Sequence, residues 1–153
     1  MQLTDIIVPE RVAYDVSANS KKRALEMLGE LIAQGQSGIT GAEVFESLLA
    51  RERLGGTGVG HGVAIPHGRL GQGERAIGAF IKLTEGIDFD ASDDEPVDLL
   101  FALIVPAEST EEHLQVLALL ATMFSDEDLR RRARAADSSN GLYELLVDWQ
   151  ANH

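Results

Sequence analysis

Apolar and polar positions recur along this chain with two distinct periods, and each period predicts a different kind of element. Val12 to Val16 fits a short strand. Behind Ser20, a good cap, the residues Ala24, Leu25, Leu28, Leu31 and Ile32 fall at helical spacing. Gly35 and Gly38 break that helix. Thr40 with Glu43 forms a capping box, and Val44, Phe45, Leu48 and Leu49 give the next helix an apolar stripe. That helix ends between Arg51 and Leu54, before Gly55 and Gly56.

A glycine-rich stretch, GGTGVGHGVAIPHGR, follows. Within it, Val63 to Ile65 fits a short buried strand stopped by Pro66. Ala76 to Leu83 fits another strand, and Val97 to Val105 is a near-continuous apolar run of the kind found in central strands. Between these two lies an acidic loop, Asp88 to Glu95. Ser109 with Glu112 forms a second capping box that opens a helix through about Phe124, and two more helices fall near Asp126 to Ala136 and Gly141 to Trp149. Strands mixed with helices of this length predict an α/β sandwich with helices on both faces of the sheet. With no repeat, low-complexity tract or linker, residues 1–153 read as one domain.

Composition narrows the function. The chain has 153 residues, 44% of them apolar and 25% charged, ordinary for a soluble globular protein. No run approaches the roughly 18 apolar residues of a membrane span, and MQLTDIIVPERV lacks the basic start and apolar run of a secretion signal. There is no cysteine, which excludes disulfides, thiolate catalysis and zinc–thiolate sites and fits a reducing cytoplasm. A formal charge of −12 repels nucleic acid and anionic lipid, and suits a partner with a basic docking face.

The glycine-rich stretch meets neither nucleotide motif: it holds no G-x-G-x-x-G, and no G-x-x-x-x-G followed by Lys and Ser or Thr. There is no G-x-S-x-G for a serine hydrolase. His67 is more informative. Pro66 stiffens the backbone before it, Gly68 adds no side chain after it, and a histidine on a stiff, open loop suits a nucleophile that meets a large electrophile. With an ordinary pKa of about 6.5, imidazole offers a neutral nitrogen at pH 7. A loop histidine bonded to backbone is the plainer alternative. His113 lies in the first turn of its helix, in line with Val116, Leu117, Leu120 and Phe124. A helix N-terminus disfavours positive charge there, so His113 reads either as a neutral donor to an anion or as a satisfied core histidine. Arg51 either complements the dipole at its helix end or reaches over the loop to grip phosphoryl oxygens, and Arg53 competes for both roles. His61, His67 and His113 would make three metal ligands, but no H-E-x-x-H accompanies them. His153, the last residue, reads as disordered.

RERLGGTGVGHGVAIPHGR resembles the active-site segment of the type-2 IIA domains, the fructose–mannitol–nitrogen group of the bacterial phosphotransferase system. EEHLQVL resembles the second histidine segment, and the likeness spans LTDIIVPERV to RRARAADSSNGLYELL. The resemblance implies a mixed sheet flanked by helices. It implies that His67 is the phosphoryl acceptor, with the His113 N–H and Arg51 stabilising the phosphoryl group. Thr57 and Gly68 match positions of the phosphoryl loop. His61 stands where the family more often has Asn, a third histidine that would tune the site or recruit a metal. The implied donor is an HPr-like phosphocarrier (NPr type), and the donor's phosphoramidate is already activated, so neither metal nor organic cofactor is needed. The start of the chain and its stand-alone length resemble the nitrogen-regulatory branch. That implies a cytoplasmic regulatory phosphotransferase acting on target proteins, with a IIA subunit serving a fructose- or mannitol-type IIB domain as the alternative. A binding module that has lost transfer would not need all three site residues.

Overall fold

The longest apolar run in the sequence forms the middle strand of the sheet. The computed structural model describes residues 2–71, 75–108 and 111–153, without the side chains of Glu112 and His113. The strands are β1 (Val12–Val16), β2 (Gly58–Gly60), β3 (Val63–Ala64), β4 (His67–Arg69), β5 (Ile77–Ile87) and β6 (Val97–Val105). The helices are α1 (Lys21–Ala33), α2 (Gly41–Leu54), α3 (Glu111–Phe124), α4 (Glu127–Ala135) and α5 (Ser139–Ala151), and two 3-10 turns precede β1. The sheet runs β1-β5-β6-β3-β2, with β4 also on β6. It is mixed: β1 is parallel to β5, β3 and β4 are parallel to β6, and β5–β6 and β2–β3 are antiparallel.

Side chains of β6 alternate between two buried layers, as the pleat requires. Leu99, Phe101, Leu103 and Val105 join one layer with Val116, Leu120, Phe124, Leu129, Leu142 and Leu146 from α3, α4 and α5. Leu100, Ala102 and Ile104 join the other with Leu25, Leu28, Val44 and Leu48 from α1 and α2. The sheet is therefore covered on both faces. Phe80, Phe101 and Phe124 pack together across the first layer, with ring centroids 5.7 to 6.3 Å apart. Ser20 caps α1 by accepting from the Arg23 N–H, and the Thr40–Glu43 capping box at the start of α2 is complete. The Ser109–Glu112 capping box lies outside the described residues.

β3 ends just before Pro66, close to where local reading stops it, but β4 resumes directly after the proline. Val63 pairs with Leu99, Ala64 with Leu100, His67 with Leu103 and Gly68 with Ile104, so β3 and β4 keep one register along β6. Proline lacks an N–H but keeps its carbonyl, which accepts from the Leu103 N–H at 2.9 Å. β5 runs four residues past Leu83 with a register irregularity, where exposed Thr84, Glu85 and Gly86 hide the pattern. The C-terminus is also more ordered than predicted. The His153 ring stacks on Trp149 at 4.4 Å and 8°, and the Trp149 indole N–H donates to Asp126 at 2.8 Å.

Candidate functional site

The unbroken register decides which way His67 faces. Period two puts it on the same face as Val63 and Ile65, the α3 side, and puts Gly68 on the α2 side. His67 opens an edge strand and is not on a free loop as predicted. Its Nδ1 lies 2.9 Å from the carbonyl oxygen of Ile65. A carbonyl only accepts, so Nδ1 carries the ring proton and the lone pair of the neutral ring is on Nε2. Burial pushes the His67 pKa down, the Ile65 bond opposes that, the Arg51 charge lowers it further and the Glu52 charge raises it; the net shift is downward.

Arg51 sits in the last turn of α2, where its Nη1 donates to the carbonyl of Gly55 at 2.7 Å. Arg53 is exposed, and of the two it is Arg51 whose charge acts on His67. Next to Arg51, Glu52 is buried, a residue that local reading passes over. Its carboxylate accepts the Thr57 N–H at 3.0 Å and the Thr57 hydroxyl, and Lys21 Nζ lies 3.5 Å away. Thr57 is thereby tied to the helix end, and its own carbonyl accepts from the Ile65 N–H at 3.0 Å. A signal for Glu52 did exist: it continues the buried row Val44, Leu48 at four-residue spacing.

Gly68 serves close packing. A Cβ there would overlap Ser47 Oγ and lie 3.0 Å from the Ser47 carbonyl oxygen. The Ser47 hydroxyl donates to the Arg69 carbonyl at 2.9 Å, so α2 rests directly on β4. Between them opens a groove of about 870 Å³, lined by Ser47, Ala50, Arg51, Leu54, His67 and Arg69 among others. Leu54 on its rim is 84% exposed.

His61 does not belong to this cluster, contrary to the expectation of a third histidine near the site. It occupies the β2–β3 turn at φ +58°, its N–H donating to Asp93 at 3.0 Å and its carbonyl accepting from Arg134 at 2.6 Å. The next carbonyl, that of Gly62, binds the N–H groups of Asp98 and Leu99, whereas His67 pairs with Leu103. Four residues of extended strand separate those positions, about 13 Å. His61 and His67 therefore cannot share an ion. Among the described residues, no group of three His, Asp or Glu is placed to hold a metal. His113 is in the first turn of α3, and its side chain lies outside the described residues.

Residues 5–149 match the family model described as "Phosphoenolpyruvate-dependent sugar phosphotransferase system, EIIA 2". The chain belongs to this family. It is 46% identical to the "Nitrogen regulatory protein" of Klebsiella oxytoca, an alignment covering 100% of this chain and 94% of that one. Its fold is similar to nitrogen regulatory protein IIA-Ntr from Neisseria meningitidis, with TM-score 0.86 and 42% identity over 94% of this chain and 98% of that one. It is also similar to IIA mannitol from Escherichia coli, with TM-score 0.73 and 26% identity over 92% of this chain and 98% of that one. The mixed sheet with helices on both faces is the EIIA 2 fold. Among the described residues, no helix is long and apolar enough to cross a membrane.

For an EIIA 2 chain the lowered His67 pKa has a kinetic meaning. Protonation occupies the lone pair on Nε2, so only the neutral ring has a nucleophilic nitrogen. A depressed pKa keeps that ring neutral to lower pH than an ordinary histidine, whose pKa is about 6.5. The nucleophilic capacity of the ring is expected to be constant from pH 8 to below that value, then to fall. An NMR titration of the ring provides the check; a midpoint at or above that of a free histidine would contradict the assignment.

Proposed function

We propose that this EIIA 2 chain is a phosphocarrier that accepts a phosphoryl group on Nε2 of His67 from an HPr-like protein and acts in regulation, not in sugar uptake. The observation that carries the chemistry is the Nδ1 contact to Ile65. It fixes the tautomer, and it leaves a carbonyl dipole against the ring as positive charge develops. The Nε2 lone pair forms the new P–N bond while the donor's P–N bond breaks and returns its electron pair to the donor ring. Such a transfer is mostly positioning and charge stabilisation. Arg51 is assigned to the phosphoryl oxygens, and so is His113, by the family resemblance. The charge of −12 favours a carrier with a basic face, and the same surface would meet regulatory targets or a IIB domain. The regulatory reading is supported by the nitrogen-regulatory relative, which matches along the whole chain.

The test is incubation with carrier bearing labelled phosphate, followed by mapping of the labelled peptide; label on His113 or His61 with His67 intact would refute the acceptor. Replacing Arg51 by Ala is expected to slow transfer by about 10²- to 10³-fold, the usual loss for one charge-stabilising donor. Lys at position 51 restores charge without the planar fork, so rescue is partial. Deleting the gene should leave fructose and mannitol uptake intact and alter nitrogen regulation. A clean loss of uptake of one sugar would favour a transporter subunit instead.

A further inference from the structure

We infer that Glu52 is a positioning residue for phosphoryl transfer, acting on Arg51 through the loop that follows α2. The inference rests on the phosphocarrier reading above. Arg51 and Glu52 are adjacent in the last turn of α2, yet their side chains engage the same short loop from opposite directions. Glu52 points inward: its carboxylate holds the Thr57 N–H at 3.0 Å and the Thr57 hydroxyl. Arg51 donates to the Gly55 carbonyl at 2.7 Å. Residues 55 to 57 thus form a bridge with Glu52 as its anchor and Arg51 as its load.

Gly55 and Gly56 supply no side chain to fix that bridge, and a Cβ at Gly55 would meet nothing within 4 Å. The Gly55 N–H is bonded to the Glu52 backbone carbonyl at 3.1 Å, and beyond that point the shape of the bridge depends on the Thr57 end. That end is well held: Glu52 is 7% and Thr57 6% exposed, and the Thr57 carbonyl is tied to the Ile65 N–H, two residues before His67. Lys21, 3.5 Å from Glu52 and 4.6 Å over the Phe89 ring, compensates the buried carboxylate from α1. Asp90, 3.9 Å from Lys21, is the other charge in the group. A guanidinium that must meet phosphoryl oxygens gains from being oriented before they arrive, and a displacement near 1 Å can cost about 100-fold in rate. Glu52 is well placed to supply that orientation without touching the transferred group.

The experiment compares Glu52→Gln and Thr57→Val with Arg51→Ala, singly and combined, in transfer assays with the HPr-like carrier. Each of the first two is expected to slow transfer by about 10- to 100-fold at unchanged carrier affinity. Thr57→Ser, which keeps the hydroxyl, should transfer faster than Thr57→Val. Combined with Arg51→Ala, neither should slow transfer further, because the pathway is shared. Losses that multiply, or a folded Glu52→Gln protein with the wild-type rate, would overturn the inference. Should Glu52→Gln fail to fold, the Thr57→Val arm decides alone. A readout independent of transfer separates this from failure of the phosphocarrier reading. In wild type, Arg51→Ala should raise the midpoint of the His67 ring titration, since the Arg51 charge lowers it. In the Glu52→Gln background the same change should raise it by less; an equal rise in both backgrounds would show that Glu52 does not position Arg51.

Discussion

Replacing His67 by Ala is expected to abolish phosphoryl acceptance altogether, whereas the Arg51 and Glu52 variants should only slow it. The difference follows from the roles. In the proposed mechanism Arg51 and the loop stabilise charge on oxygens that another donor or water can partly serve, whereas the attacking lone pair is that of His67 itself. His61 sits about four strand residues away along β6 and is tied into its own turn by Asp93 and Arg134. The ring's bond to the Ile65 carbonyl is worth about 1 kcal/mol net, so the variant is expected to remain folded. The measurement is labelling by carrier phosphate, with thermal unfolding as the folding control. The label on wild type should be acid-labile and stable to base, as expected for a P–N bond. Labelling of the folded His67→Ala protein at the wild-type level would remove His67 from the mechanism.

Gly68→Ala should be the most damaging small change near the site, although it adds one methyl group. Its Cβ would overlap Ser47 Oγ and press on the Ser47 carbonyl at 3.0 Å and carbonyl carbon at 3.2 Å. A side chain can turn away, but a helix backbone cannot, so α2 must lift from β4. Overpacking of this kind costs about 1–3 kcal/mol. Because α2 carries Arg51 and Glu52, transfer should fall by about 100-fold as well, in line with a displacement near 1 Å. Ser47→Ala alone loses only the bond to the Arg69 carbonyl, about 1 kcal/mol. Combined with Gly68→Ala, it removes the hydroxyl clash and leaves the backbone clash, so the double variant should recover part of the stability. Full recovery would mean that the hydroxyl, not the helix backbone, sets the limit.

Which parts of this molecule could be read locally follows from where their information lies. α1 and α2 announce themselves because Ser20, Thr40 and Glu43 act within three residues of what they cap. β6 is legible because it is buried on both faces and needs no alternation. β2 and β4 are three residues each, rich in glycine, and exist as strands only through β3 and β6. His67 and Arg51 stand out by their chemistry and their setting, whereas His61 looks close to them only through its nearness in sequence. An extended strand carries a neighbour away faster than a helix or turn does. Glu52 was hidden by its charge, which reads as solvent-facing until the loop at residues 55–57 folds back over it.

The stacking of His153 on Trp149 has a practical consequence for separating folding from chemistry. Trp149 is the only tryptophan in the chain, and α5, which carries it, packs beside β1 at the opposite edge of the sheet from β4. Three strand spacings, about 14 Å, lie between those edges. Its fluorescence therefore reads the docking of the C-terminal helix, through the indole bond to Asp126. The protein carries its own optical gauge of integrity, one that responds when the sheet loses its cover.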